Sequence, residues 1–162
     1  MPAYTLPMLD TRRATPDDAA LITSHRRAMF ADMGAGTPEV LDEMCCNFEP
    51  WVTARLADGR YLGWITEEDG KAVASAGLLL LEWPPHPRHP ANDLRGYILN
   101  VFVEPAWRRG GLARALTELC VEEASRLGIE VVTLHASDKG RGLYEQLGFQ
   151  SSNEMQLLLP EE

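Results

Sequence analysis

Apolar residues recur along this chain in two different periods, and each change of period marks a new structural element. Short runs rich in β-branched and aromatic residues, bounded by turn residues, predict strands. These runs are residues 61–66, 72–83, 97–103 and 131–136. A spacing of three and four residues instead predicts a helix from Leu112 to Leu127, which Gly128 ends.

Two further helices are predicted between a short first strand at residues 11–14 and the strand at residues 61–66. Thr15-Pro16 and Thr37-Pro38 each place a capping threonine before a proline at the first helical position. Pro50 lies inside the second helix, so we expect a kink or a break near Phe48.

The C-terminal part predicts a short helix that carries Leu143, Tyr144 and Leu147, followed by closing strand material at Phe149 and residues 155–159. The whole order is strand, two helices, three strands, helix, strand, helix, strand. It predicts an α/β fold in which helices flank a mixed, mostly antiparallel central sheet. At 162 residues, without repeats or linkers, residues 1–162 are most simply one domain.

Composition excludes several functional classes. The net charge of −9 argues against nucleic acid as the main partner, because phosphate binding needs a basic surface. No apolar run is long enough to span a membrane, and the N-terminus lacks a signal-peptide core. Cys45, Cys46 and Cys120 form neither a disulfide framework nor a zinc spacing, so we expect a cytoplasmic protein with no metal.

The joint between the strand at residues 97–103 and the helix that begins at Leu112 concentrates the candidate chemistry. Arg108 and Arg109 bring positive charge, and Gly110 and Gly111 remove β-carbons beside the free amides of the helix start. Such a joint favours an anion, best a phosphate or pyrophosphate. A surface loop with two solvated arginines is the plainer alternative.

The spacing Arg108-x-x-Gly111-x-Ala113 after a strand resembles the signature of the GNAT superfamily of acyl-CoA-dependent N-acetyltransferases. A second segment, residues 142–149 (GLYEQLGF), resembles the Leu-Tyr-x-x-x-Gly-Phe helix of the same family. The resemblance implies that acetyl-CoA is the co-substrate. It assigns cofactor binding to Val101, Phe102, Val103, Arg108, Arg109, Gly110, Gly111, Leu112, Ala113 and Ser137.

Tyr144 matches the family tyrosine that protonates the leaving thiolate, although an aromatic packed between helix and sheet is the alternative role. The general base is less defined, because the position of the family glutamate in the central strand is occupied by Tyr97. Glu82, His86 and His89 are the candidates, together with ordered water. Residues 30–37 and the proline-rich residues 83–90 are expected to shape the acceptor pocket.

These features predict transfer of an acetyl group to a primary amine by direct attack in a ternary complex. The acceptor is a small amine or a peptide amine, and Asp32, Glu39, Glu43 and Glu82 favour a small cationic one. A non-catalytic acyl-CoA-binding module and a binder of other phosphate ligands are the alternatives. Dimers are common in the family, but no interface is apparent in the sequence.

Overall fold

The computed structural model describes residues 9–161, in which five strands form one sheet in chain order. The strands are β1 (Leu9–Arg13), β2 (Tyr61–Glu68), β3 (Lys71–Glu82), β4 (Leu94–Val103) and β5 (Val132–Leu134). Neighbouring strands pair antiparallel from β1 to β4, and β5 runs parallel to β4. The α/β prediction with a mostly antiparallel sheet is therefore confirmed.

The described residues form four α-helices: α1 (Ala19–Asp32), α2 (Pro38–Asp58), α3 (Leu112–Arg126) and α4 (Arg141–Gln146). The first two lie between β1 and β2, α3 lies between β4 and β5, and α4 follows β5. A short 3-10 turn precedes α1, and another precedes the loop that leads into α3. The sequence predicted a kink or a break near Phe48, and of these two the break is wrong, because α2 runs without interruption through Pro50. Proline removes one backbone donor, while Phe48 and Val52 on either side of it are buried and hold the helix on the sheet.

Each face of the sheet has its own apolar core, because strand side chains alternate between the faces. On one face Leu78 and Ile98 pack with Leu116 and Cys120 of α3. On the other face Tyr61 packs with residues of α1 and α2. The two layers of helices leave the region between β4 and β5 as the open part of the fold.

The predicted closing strand is absent from the structure. Residues 150–161 follow α4 without joining the sheet, and all of them are exposed. Phe149, by contrast, is half-buried against the core beside α3. The apolar pattern at residues 155–159 was typical of a strand, but strand pairing also needs a partner that the pattern cannot identify.

Gly77 is required by the packing of a neighbouring tyrosine. A β-carbon at this position would overlap the hydroxyl oxygen of Tyr61, which is fully buried. We expect Gly77→Ala to destabilise the protein by about 1–3 kcal/mol, because the tyrosine ring has no room to move. Thermal unfolding measures this loss, and Gly142→Ala is the control because its β-carbon meets open space. An unchanged midpoint for Gly77→Ala would contradict the packing argument.

Candidate functional site

An open cavity of about 1200 Å³ lies where β4 and β5 diverge. Its walls come from α1, the second half of β4, the start of α3, and the segment from β5 to α4. The cavity thus meets both motifs that the sequence singled out. The predicted cofactor-binding residues line it except Gly110, and so does Tyr144, whereas the candidate bases Glu82, His86 and His89 do not.

The divergence begins at a bulge in β4. The ladder pairs Gly77 with Leu99 and Ser75 with Phe102, so Asn100 and Val101 face a single residue of β3. Pairing with β5 stops at Ile98, opposite Leu134. From there to Val103, the edge of β4 that faces β5 has no strand partner within the described residues, and an extended ligand has backbone groups to pair with.

Asn100 holds the bulge in place. Its φ is +57°, a left-handed conformation that asparagine tolerates better than most residues. The side chain is buried, donates to the hydroxyl of Tyr61 at 3.0 Å and accepts from Arg26 Nη1 at 2.8 Å. These two hydrogen bonds hold β4 in its bulged conformation, and the bulge lies where β4 parts from β5.

The start of α3 forms the other end of the cavity. Arg109 and Gly111 both have positive φ, +68° and +84°, and no side chain caps the helix. The first backbone N–H groups of the helix are therefore free to meet a ligand at its positive end. A β-carbon at Gly111 would meet no atom within 4 Å, so the space in front of these amides is open. This geometry suits a pyrophosphate.

Arg108 fixes the loop that precedes this helix. Its Nε donates to the carbonyl of Val103 at 2.9 Å, and its Nη2 donates to the Asp32 carboxylate at 2.7 Å. The guanidinium thus ties the end of β4 to the end of α1 and stands at the cavity wall. Arg109 is exposed and has no such ties within the described residues.

Tyr144 of α4 lies in the cavity wall, close to the loop that follows β5. Its ring packs edge-on against Phe149, with ring centroids 5.9 Å apart. Burial raises the pKa of Tyr144, which keeps the phenol protonated. Among the described residues the hydroxyl has no hydrogen-bond partner, so it can donate to a ligand in the cavity.

Ser137 supports the loop that carries Tyr144. Its hydroxyl accepts from the backbone N–H of Gly140 at 3.1 Å, and its carbonyl accepts from the N–H of Arg141. A β-carbon at Gly140 would come within 3.0 Å of the Tyr144 ring. Because Gly140 has no β-carbon, the Tyr144 ring can lie directly over this loop.

Sequence reasoning missed His135, which lies beside Tyr97 at the point where the strands part. The hydroxyl of Tyr97 and Nδ1 of His135 form a hydrogen bond, and both residues line the cavity. Burial raises the pKa of Tyr97, and the negative charge of Glu154 acts in the same direction. The available signal was a histidine at the end of a predicted strand, next to the strand that carries Tyr97.

A family model described as "Acetyltransferase (GNAT) family" matches residues 24–149, most of the chain. The chain belongs to this family. It is 40% identical to a GCN5-related N-acetyltransferase from Ralstonia eutropha, with a TM-score of 0.89 over 94% of this chain and 99% of that one. The resemblance inferred from the two motifs is confirmed, and so is the class of enzyme.

Two further solved structures show the range of the likeness. A predicted acetyltransferase from Clostridium acetobutylicum, solved with acetyl-CoA, is 28% identical with a TM-score of 0.86, covering 94% of this chain and 96% of its own. Glucosamine-6-phosphate N-acetyltransferase from Arabidopsis thaliana shares the fold at 19% identity and a TM-score of 0.66, with 96% and 99% covered. A search of curated proteins finds no match. No helix among residues 9–161 has the length and apolarity to cross a membrane.

The predicted general bases do not line the cavity. Glu82 is exposed at the end of β3 opposite Leu94, at the far end of β4 from Val103. His89 is buried within its own loop, where Nδ1 bonds to the Asn92 carbonyl and Nε2 accepts from Arg95. His86 is bridged to His89 and does not reach the cavity.

Of the two segments expected to shape the acceptor pocket, residues 30–37 and 83–90, only part of the first lines the cavity. Phe30, Asp32 and Met33, from the end of α1 and the residue after it, line the cavity as predicted. The proline-rich loop does not, and Trp83 stacks under Arg95 instead, 4.4 Å from the guanidinium carbon to the ring centroid. The four predicted carboxylates do not converge, because Asp32 pairs with Arg108 while the other three lie outside the cavity lining.

Proposed function

We propose that this GNAT acetyltransferase transfers the acetyl group of acetyl-CoA to a primary amine by direct attack in a ternary complex. The observation that carries the proposal is the continuous line from the unpaired edge of β4 to the uncapped start of α3. An extended pantetheine arm fits the first part, and a pyrophosphate fits the second.

The cofactor is assigned to the residues along this line. Backbone groups of Val101 and Val103 pair with pantetheine, and an N–H of Val101 or Phe102 polarises the thioester carbonyl. The amides from Arg109 to Ala113 hold the pyrophosphate, with Arg108 fixing the loop. Ser137 supports the opposite wall.

In the chemical step, the amine nitrogen attacks the thioester carbon and a tetrahedral oxyanion forms. Collapse of this intermediate breaks the carbon–sulfur bond, and Tyr144 gives its proton to the leaving thiolate. The positions of the cysteines support direct attack, because a covalent acetyl-enzyme would need a thiol in the cavity. Cys120 is buried in the core with its pKa raised to about 12, and no cysteine lines the cavity in the described part of the chain.

His135 takes the proton from the amine, and Tyr97 orients its imidazole. The pair lies at the mouth between β4 and β5, on the other side of the bulge from the pyrophosphate end. A phenol whose pKa is raised is a poor acid-base partner at neutral pH, so Tyr97 is assigned the orienting role and His135 the proton transfer.

The acceptor is a small amine or a peptide amine, and the carboxylates give no support to a preference for a cationic one. The direct test measures thiol release from acetyl-CoA across a panel of amines, polyamines, amino acids and peptides. Turnover with one class identifies the acceptor, whereas absence of both turnover and acetyl-CoA binding refutes the proposal. A single domain over residues 1–162 and a cytoplasmic location stay predictions.

His135→Gln is expected to lower kcat/KM by about 10²-fold, because glutamine is polar but cannot take the proton of the amine. Tyr97→Phe should lower kcat/KM less, because it removes only the orienting hydroxyl. Steady-state kinetics on the two variants measure both effects. A wild-type kcat/KM in His135→Gln would assign deprotonation of the amine to solvent.

A further inference from the structure

Arg26 of α1 brings a positive charge to the wall of the cavity, and the proposed chemical step does not use it. The side chain is half-buried beside the bulge of β4, where its Nη1 donates to Asn100 at 2.8 Å. Its guanidinium carbon lies 4.8 Å from the ring centroids of both Phe30 and Phe48. Because two rings restrict the guanidinium, its N–H donors are positioned before a ligand binds.

The guanidinium of Arg26 is under-satisfied. Its Nε is buried without a hydrogen-bond partner, and no other buried side-chain nitrogen or oxygen of residues 9–161 is in this state. Its Nη2 makes no hydrogen bond within the same residues, and this nitrogen is not buried. An unpartnered polar group at this depth needs an explanation, and a ligand in the cavity supplies one through Nη2.

In the described part of the chain, no carboxylate offsets the charge of Arg26. The groups whose charges act on it are Tyr61, Tyr97 and Cys45, and burial raises the pKa of each, so all three are neutral near pH 7. Burial lowers the pKa of Arg26, yet a guanidinium stays protonated in proteins. A half-buried charge with neutral neighbours favours an anionic ligand.

The place of Arg26 distinguishes it from the other charges of the cavity. The remaining charged side chains of the lining are Asp32, Arg108, Arg109, Asp138 and Lys139. These belong to the end of α1 and to the loops that precede α3 and α4. Arg26 instead acts on Tyr97, whose pKa is raised by burial and lowered by the charge of Arg26. Arg26 therefore lies near the pair of Tyr97 and His135.

We propose that Arg26 binds a carboxylate of the acceptor, so that the acceptor is a small amine of the amino-acid class. This inference rests on the proposed function, because Tyr97 and His135 there mark the place of the amine. One guanidinium matches the charge and the planar shape of one carboxylate. A phosphate group carries more charge, and no second cation acts on Arg26.

Rates of thiol release with matched pairs of acceptors test the proposal. Each pair is an amino acid and its amide, which differ only in the carboxylate. Arg26→Gln should lower kcat/KM for the acid by about 10²-fold and for the amide by no more than about threefold. Because the same pair is compared in both enzymes, the difference in basicity between the two amines cancels.

Two further variants control for structure. Arg26→Lys keeps the charge but loses the planar fork, so it should lower the ratio of acid to amide rates by about tenfold, even if Arg26→Gln does not fold. Arg27→Gln is the matched control, because Arg27 pairs with Asp42 outside the cavity lining and should leave both rates unchanged. Calorimetry should give an acetyl-CoA affinity within about twofold of wild type for all three variants, since none changes the start of α3.

The ratio of acid to amide rates decides the outcome. An unchanged ratio in Arg26→Gln and Arg26→Lys would overturn the proposal. Equal losses on acid and amide would overturn it too, and would assign Arg26 a structural role at the bulge. Turnover confined to amines without a carboxylate would have the same consequence. In these cases amines are still acetylated, so the proposed acetyl transfer stands, whereas absence of both turnover and acetyl-CoA binding refutes both proposals.

Discussion

Tyr144→Phe should lower kcat by about 10²–10⁴-fold while the affinity for acetyl-CoA stays within about twofold. The variant removes one hydroxyl and keeps the ring that packs edge-on against Phe149. The wall of the cavity is therefore preserved, and only the proton for the leaving thiolate is lost. Steady-state kinetics and calorimetry with acetyl-CoA measure the two quantities separately.

The pH dependence adds a second readout for the same residue. Burial raises the pKa of Tyr144, so its acid form persists above the usual titration range of tyrosine, near pH 10. The rate should hold on the alkaline side and fall only as pH passes the raised value. In Tyr144→Phe the rate should be low at every pH, and its decline at alkaline pH should be absent.

Equal kcat values for wild type and Tyr144→Phe would assign the tyrosine a packing role. A protein that binds acetyl-CoA tightly, yet gives no turnover in either form with any acceptor, would instead be the non-catalytic binding module. The two results separate the role of one residue from the role of the fold.

Local patterns were sufficient to predict most of the elements and the loop that leads into α3. The loop from Arg108 to Ala113 has a chemistry that depends on backbone amides, glycine conformation and a helix start, all of which are encoded within a few residues. The same holds for Tyr144, whose position within a short helix follows from its neighbours Leu143 and Leu147.

The proposed acceptor end of the cavity depends on contacts between residues that are far apart in the chain. The bulge at Asn100 needs Arg26 and Tyr61, which lie 74 and 39 residues away. His135 joins Tyr97 only because β4 and β5 run parallel and part at Ile98. Periodicity carries no information on such pairings, so the sequence offered only Glu82, His86, His89 and ordered water as bases, and none of these three residues lines the cavity.

Residues 155–159 show the same limit from another side. They have a strand pattern, but none of the described strands pairs with them. A strand is defined by its neighbour as well as by its own residues. The sequence could therefore predict the tendency to extend but not whether a partner strand is present.

Gly111→Glu should weaken the binding of acetyl-CoA on the order of 10³-fold. Any side chain at φ +84° is strained, and this one brings a carboxylate into the open space in front of the α3 amides. A unit charge about 4 Å from a phosphate charge costs about 4 kcal/mol near a protein surface, which corresponds to this loss. Calorimetry with acetyl-CoA measures the affinity directly.

Gly128→Glu is the matched control for this substitution. Gly128 follows α3 at its other end, has a φ of +76°, and meets no atom within 4 Å at its β-carbon position. It therefore carries similar backbone strain and the same added charge outside the cavity lining. Thermal midpoints should fall by similar amounts in the two variants, while only Gly111→Glu loses affinity. Equal affinities would show that the start of α3 is not where the pyrophosphate binds, because a charge placed among those amides cannot be neutral to a bound phosphate.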